Sequence, residues 1–146
     1  MPSRLRAHRQ ILGRFLVALQ NLPTTGTSVH EDVAYAIEHG RVPAVVVEPD
    51  DELSQEYAPA FDGNDEEMRT LGVFVTAIGN SPAERDTIML EAEEAVIRAN
   101  IGRECKFSSA RYVKSGEGSK PAYAVRSRFT VEYHVEAQRP DQILRA

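Results

Sequence analysis

Arg41 to Ile78 reads RVPAVVVEPDDELSQEYAPAFDGNDEEMRTLGVFVTAI. Two β-branched apolar runs, Pro43–Val47 and Thr70–Ile78, each have the length and composition of a strand. Pro43 has no N–H to donate, so it fits the first position of a strand or an edge. Between the runs, residues 48–67 hold nine carboxylates and no Lys or Arg: Glu48, Asp50, Asp51, Glu52, Glu56, Asp62, Asp65, Glu66 and Glu67. A polar connection this long is uncommon in a small domain and is usually functional or disordered. It is expected to be an acidic arm, residues 48–69, held away from the core.

The flanks supply the rest of a small α+β domain. Downstream, Gly79-Asn80-Ser81-Pro82 breaks the chain, and Ser81 with Pro82 and Glu84 has the spacing of a helix N-terminus with a capping box. The helix should run from Pro82 to about Asn100, with Ile88, Met89, Ala92, Ala95, Val96 and Ala99 on one side. Glu84, Glu91 and Glu94 fall on the opposite side. A hairpin follows, Lys106–Lys114 and Ala122–Glu136, joined by the flexible Ser115–Pro121. In its second strand Tyr123, Val125, Phe129, Val131, Tyr133 and Val135 share one face, interrupted by Ser127. Arg126, Arg128, Thr130, Glu132, His134 and Glu136 form the other, expected to be wet.

Upstream, residues 3–22 carry Leu5, Ile11, Leu12, Phe15, Leu16, Leu19 and Leu22 at helical spacing, with Ser3 as N-cap. Residues 27–40 suit a short strand, near Ser28–His30 or Val33–Ile37, or a helical turn stopped at Gly40. The tail RPDQILRA is expected to be mobile. The whole is one domain, 1–146: a mixed, mainly antiparallel sheet, two helices on one face, a long acidic loop at 48–69 and a C-terminal β-hairpin at 105–136.

Charge is unevenly distributed. Outside residues 48–67 the chain holds seventeen bases against thirteen acids. Arg4, Arg6, Arg9 and Arg14 open the chain with no acid among its first twenty residues, and Arg103 to Arg128 holds seven bases against Glu104 and Glu117. Such segregation suits complementary contact between identical copies, or solvated faces that keep the protein dispersed. No apolar run is long enough to cross a bilayer. MPSRLRAHRQ begins like a signal peptide, but Arg14 interrupts ILGRFLVAL and no small-residue cleavage site follows, so export is not expected.

Catalytic patterns are missing. The single Cys105 permits no intrachain disulfide and reads as a half-buried apolar residue. His30-Glu31-Asp32 offers metal-binding side chains, yet adjacent residues of a strand point to opposite faces and cannot chelate together. The carboxylates at 48–67 lack the alternating pattern of a calcium loop. Neither a nucleophile elbow, a phosphate-binding loop nor a dinucleotide fingerprint occurs. Arg126 and Arg128 with Arg111, Lys114 and Lys120 make a basic group, but the nearby aromatics fall on the apolar face, unlike stacking platforms. No cofactor, metal or catalytic residue is expected.

The order of the pieces resembles the tail terminator proteins of long-tailed bacteriophages, the minor tail protein U-like family. The resemblance covers nearly the whole chain and rests on RQILGRFLVAL, VPAVVVEP, the long polar insertion, RTLGVFVTAI, EAEEAVIRA and YAVRSRFTVEYHV. The resemblance implies a structural subunit of the virion tail, assembled in the host cytoplasm as a ring, six-membered in that family, on the finished tail tube. Such a ring ends tube polymerisation and provides the head-joining surface. Expected partners are further copies of the chain, the tail tube protein and the head–tail connector or stopper. DNA would meet it only in transit through the channel, and no membrane is involved. Competing readings are a head–tail stopper or tail completion protein and, from another class, a small α+β enzyme or ligand-binding domain.

A ring subunit needs two different surfaces that fit each other. Asp50, Asp51, Glu52, Asp65, Glu66 and Glu67, with Arg126 and Arg128, are the candidate subunit-contact or lumen residues. The acids are expected to be silent in the isolated fold and to matter when copies meet.

Overall fold

A computed structural model of the chain describes residues 6–32, 36, 40–59, 65–102, 104–115, 122–136 and 139–145. The elements, in order, are α1 (Ala7–Leu19), β1 (Val29–His30), β2 (Ala44–Pro59), β3 (Asp65–Gly79), α2 (Pro82–Ala99), β4 (Glu104–Ser115), β5 (Ala122–Glu136) and β6 (Arg139–Arg145). The strands form one sheet in the order β1-β2-β3-β5-β4, with β6 also paired to β5. Only β1 runs parallel to its neighbour; every other pairing is antiparallel. The fold is α+β, with α1 and α2 on one face of the sheet.

That face holds the main core. Ala7, Ile11, Leu12, Phe15 and Leu19 come from α1, and Ile88, Met89, Ala92 and Val96 from α2. They pack on Val45 and Val47 of β2, Leu71, Val73, Val75 and Ala77 of β3, and Val125, Phe129, Val131, Tyr133 and Val135 of β5. The alternation in β5 therefore buries the face that the sequence indicates. Ser127, the break in that alternation, is fully buried and its hydroxyl donates to Met89 Sδ at 3.0 Å. The opposite face is less wet than expected: in β5 only Arg126 is exposed, Ala122, Ala124 and His134 are buried, and the rest are half-buried. At one end of that face Ala36 and Val42 cover Ala44, Val46, Ile78, Ala122 and Ala124.

α2 starts as its sequence dictates. Ser81 Oγ accepts from the Glu84 amide at 3.1 Å, and the Glu84 carboxylate accepts from the Asn80 amide at 2.9 Å, one residue outside the standard capping box. Asn100 and Gly102 end it with φ of 49° and 71°. A Cβ on Gly102 would lie 2.8 Å from the Glu132 carbonyl, so the turn into β4 needs glycine on both counts. Glu91, on the side expected to be solvated, instead accepts from the Thr24 amide at 3.0 Å and from its hydroxyl at 2.8 Å, which ties the α1–β1 connection to α2. α1 begins after Arg6 without a side-chain cap, and the expected Ser3 cap lies outside the described residues. Of the two places considered for the short strand, residues 29–30 are the one formed, while 33–35 and 37 lie outside the described residues.

Two expectations are corrected. The acidic segment is not a loop: residues 48–59 continue β2 and residues 65–69 begin β3, paired as far as Pro59 with Asp65. The ladder simply continues along β3, which β5 flanks from Glu66 to Gly79 and so gives β2 a long template. Residues 60–64, between the two strands, lie outside the described residues. The tail is not loose either. β4 leaves the β5 edge at Glu132, and β6 takes up the same edge beyond it, pairing Val135 with Ile143. Ile143 packs on the core, and Gln10 Nε2 donates to the Asp141 carbonyl at 2.7 Å.

Candidate functional site

Two bulges decide where the acids go. In the β2–β3 ladder Pro49 faces Val73 and Glu52 faces Leu71, so Asp50 and Asp51 stand opposite the single Gly72. An extra residue reverses which positions face the helices. Glu48 and Asp50 therefore point to the helix-free face, and Glu52 points under the helices. A second shift lies between Ser54 and Tyr57. On β3, Glu67 and Arg69 follow the parity of Leu71 and Val73 and lie on the helix side.

A polar cluster forms there beside the start of α1. Arg69 Nε donates to Glu67 Oε1 at 3.0 Å and Arg69 Nη1 to Glu52 Oε1 at 3.3 Å. The Tyr133 hydroxyl donates to Glu52 Oε2, and Arg6 Nη2 lies 3.6 Å from Glu52 Oε1. The carboxylates and the Arg69 side chain are only 10–18% exposed. Burial, reinforced by the bond to Glu52, pushes the Tyr133 phenol well above its usual range. Burial works against the Arg69 charge, but Glu67 and Glu52 outweigh it and raise that group. Burial and the nearby Arg6 push His8 down. The polar atoms of the cluster are turned on one another, and their work is to hold β2, β3, β5 and α1 together.

On the helix-free face the candidate bases meet candidate acids of the same chain. Arg128 Nε donates to Asp50 Oδ2 at 2.8 Å, crossing β3 at Gly72. A Cβ at position 72 would lie 2.5 Å from Arg128 Nη2 and 3.0 Å from Asp50 Cβ, so the crossing needs glycine. Arg126 packs over the Phe74 ring at 4.7 Å, with Nη2 3.6 Å from Glu48 Oε1. Glu48 Oε1 receives no hydrogen bond, so this contact is an ion pair only.

Of the eight candidates, Asp50, Glu52, Glu67, Arg126 and Arg128 thus have partners within the chain, and the expected silence of the acids fails for Asp50, Glu52 and Glu67. Asp51 lies in the first bulge, while Asp65 and Glu66 face Pro59 and Ala58; their side chains lie outside the described residues. The sequence reading missed Arg69 and Tyr133. Arg69 had a signal: it is the first base after Arg41.

No protein family matches this chain, and no characterised protein is significantly similar to it. Among the described residues no three His, Cys, Asp or Glu side chains converge as a metal site. Around His30 the side chains diverge: Glu31 pairs with Arg9 at 2.9 Å, and His30 Nε2 lies 3.1 Å from Ser28 Oγ. Burial, then Arg41, pushes His30 down. An open depression of about 440 Å³ beside it is lined by Leu16, Gln20, Val29, His30, Glu31 and Asp32. Cys105 is half-buried, and burial alone pushes its thiol up to about 11, which keeps it protonated and unreactive at neutral pH.

β4 is different in kind. Two helices side by side span roughly 20 Å, enough for about four strands at a spacing near 4.8 Å. β4 lies at the end of the sheet, where the helices offer it little cover beyond Arg85 of α2 over the Tyr112 ring at 4.8 Å. Among residues 104–113 only Cys105 is even half-buried. Phe107 is 51%, Tyr112 64% and Val113 43% exposed. Register places Phe107, Ala110 and Tyr112 on the helix side, and Lys106, Ser109, Arg111 and Val113 on the other. The expected connection after Ser115 lies outside the described residues.

Proposed function

We propose that this chain is a structural subunit of a phage tail, the terminator that caps the completed tube as a ring, stops its growth and offers the surface to which the head joins. The observation that carries the reading is β4: an edge strand that leaves three large apolar side chains, Phe107, Tyr112 and Val113, largely exposed is suited to contact with another subunit. The order of helices and strands agrees with the pieces on which the resemblance rests, apart from the polar insertion, which is built as the paired ends of β2 and β3, and the added strand β6. The polar clusters at the base of the acidic hairpin are occupied with each other, which suits a structural part more than a catalyst. The ring, taken as six copies, would contact the tube protein on one side and the connector or stopper on the other.

The test is electron microscopy of particles made without this protein. The expected result is over-long or unfinished tails. Tails of normal length beside unjoined heads would instead assign the chain to the stopper position.

A further inference from the structure

We propose that β4 of one copy adds to the outer edge of β2 in the next copy, so that one sheet continues across the subunit boundary; this rests on the ring reading above and supplies its contact. The two strands lie at opposite ends of the sheet, which makes the contact head-to-tail and repeatable, closing into a ring if the rotation allows. Along β2, β1 pairs only with Val45 and Val46, so from Val47 onward the outer edge has no strand partner among the described residues. β4 likewise has β5 on one side and no strand on the other among those residues.

Charge selects which edge meets which. β4 carries Lys106, Arg111 and Lys114 against Glu104, and Arg111 stands in register with the exposed Arg126. Lys106 already leans on Glu104 at 2.8 Å, an exposed pair that a new partner can displace at little cost. From residue 42 to residue 68 the chain has no base. Beside Glu48, Asp50, Glu52 and Glu67, the hairpin sequence carries Asp51, Glu56, Asp65 and Glu66, so the β4 bases would meet a strongly acidic stretch of chain. Two β4 edges would set like charges together, and so would two β2 edges. Pro49 and Pro59 bound the usable part of the β2 edge, because proline donates no ladder hydrogen bond. Phe107, Tyr112 and Val113 would then lie beside the neighbouring sheet instead of in water.

The experiment uses the full chain at millimolar concentration in a Cys105→Ser background. Ser109→Cys is combined in turn with Asp51→Cys, Ser54→Cys, Glu56→Cys or Ala58→Cys and oxidised. At least one pairing is expected to give a ladder of covalent multimers, where Ser109→Cys alone stops at dimers. In parallel, Lys106→Glu with Arg111→Glu should weaken self-association by about tenfold or more, and adding Asp51→Lys with Glu56→Lys should restore it. The absence of a ladder from every pairing, or a charge swap that does not restore association in variants melting like the parent, overturns the inference. Rings that form without β4–β2 trapping overturn this contact and leave the terminator reading standing. A β4–β2 ladder from a chain whose loss leaves tail length unchanged overturns the terminator reading and leaves the contact standing.

Discussion

The base of the acidic hairpin and the strand β4 present opposite solutions to the same problem. Both carry charge on long strands near a margin of the sheet. At the hairpin base every described carboxylate has a cation or a phenol beside it, supplied by β3, β5 or Arg6 just before α1. β4 has one exposed ion pair, Lys106 with Glu104, and little cover beyond Arg85 over the Tyr112 ring, so it keeps aromatic and aliphatic side chains largely exposed. The difference teaches that a run of like charge in a sequence does not by itself mark a contact surface. A fold can answer such a run internally, and the surface that awaits a partner can be an ordinary-looking strand.

Four measurements sharpen or break that contrast. The largest effect is expected at Arg69. Arg69→Ala leaves Glu52 and Glu67 facing each other with little water, and should lower stability by about 2 kcal/mol in urea denaturation. A change near zero would mean that the cluster is solvated in solution and that the hairpin base is no more satisfied than β4. Next is Tyr133, whose phenol is held above its ordinary value of 10.0 in the folded chain. As pH rises past 10 the unfolded chain releases this proton while the folded chain keeps it, so stability should fall with pH from there upward. Tyr133→Phe should cost about 1 kcal/mol at neutral pH and flatten that alkaline decline in thermal midpoint. An unchanged decline would place the titration elsewhere.

Close in size to Tyr133→Phe is Gly72→Ala, which pushes Arg128 off Asp50 and should cost about 1 kcal/mol. A double-mutant cycle with Arg128→Gln should show that the two changes are not additive. Additivity would mean that the crossing contributes nothing. The smallest effect on the isolated chain is expected from Tyr112→Ser with Val113→Ser, within about 0.5 kcal/mol by thermal melting, because both side chains are largely exposed and the ring contact given up is that of Arg85 over Tyr112. Ring formation should nonetheless be abolished, as read by sedimentation. Intact rings from this variant would remove β4 from the contact.

The fold was largely legible in the sequence because its elements are locally consistent. The period-two run of β5, the Ser81–Pro82 start of α2 and the Ile11–Leu12–Phe15–Leu19 stripe of α1 each specify one structure. What failed was the polar half of β2 and β3. Its strand character comes from pairing along β5, a contact far away in sequence, and no apolar alternation announces it. The candidate site was harder still. Glu48, Asp50 and Glu52 share a parity in sequence and would share a face in a regular strand, yet the bulge sends Glu52 to the helix side. The partners Arg128 and Tyr133 lie 78 and 81 residues away from the acids they meet. The exposure of β4 follows from how many strands two helices can span, which no residue of β4 records.

The bare backbone at Gly72 has one more consequence. Because Arg128 reaches over β3 to Asp50, a single side chain ties strands that are not neighbours, as a diagonal brace ties a frame. Sliding β2 by one residue would turn Asp50 away to the far face and empty the grip. The long, polar, weakly patterned end of this sheet thus acquires a register lock that its apolar end obtains from packing, and resistance to shear along the strands comes with it.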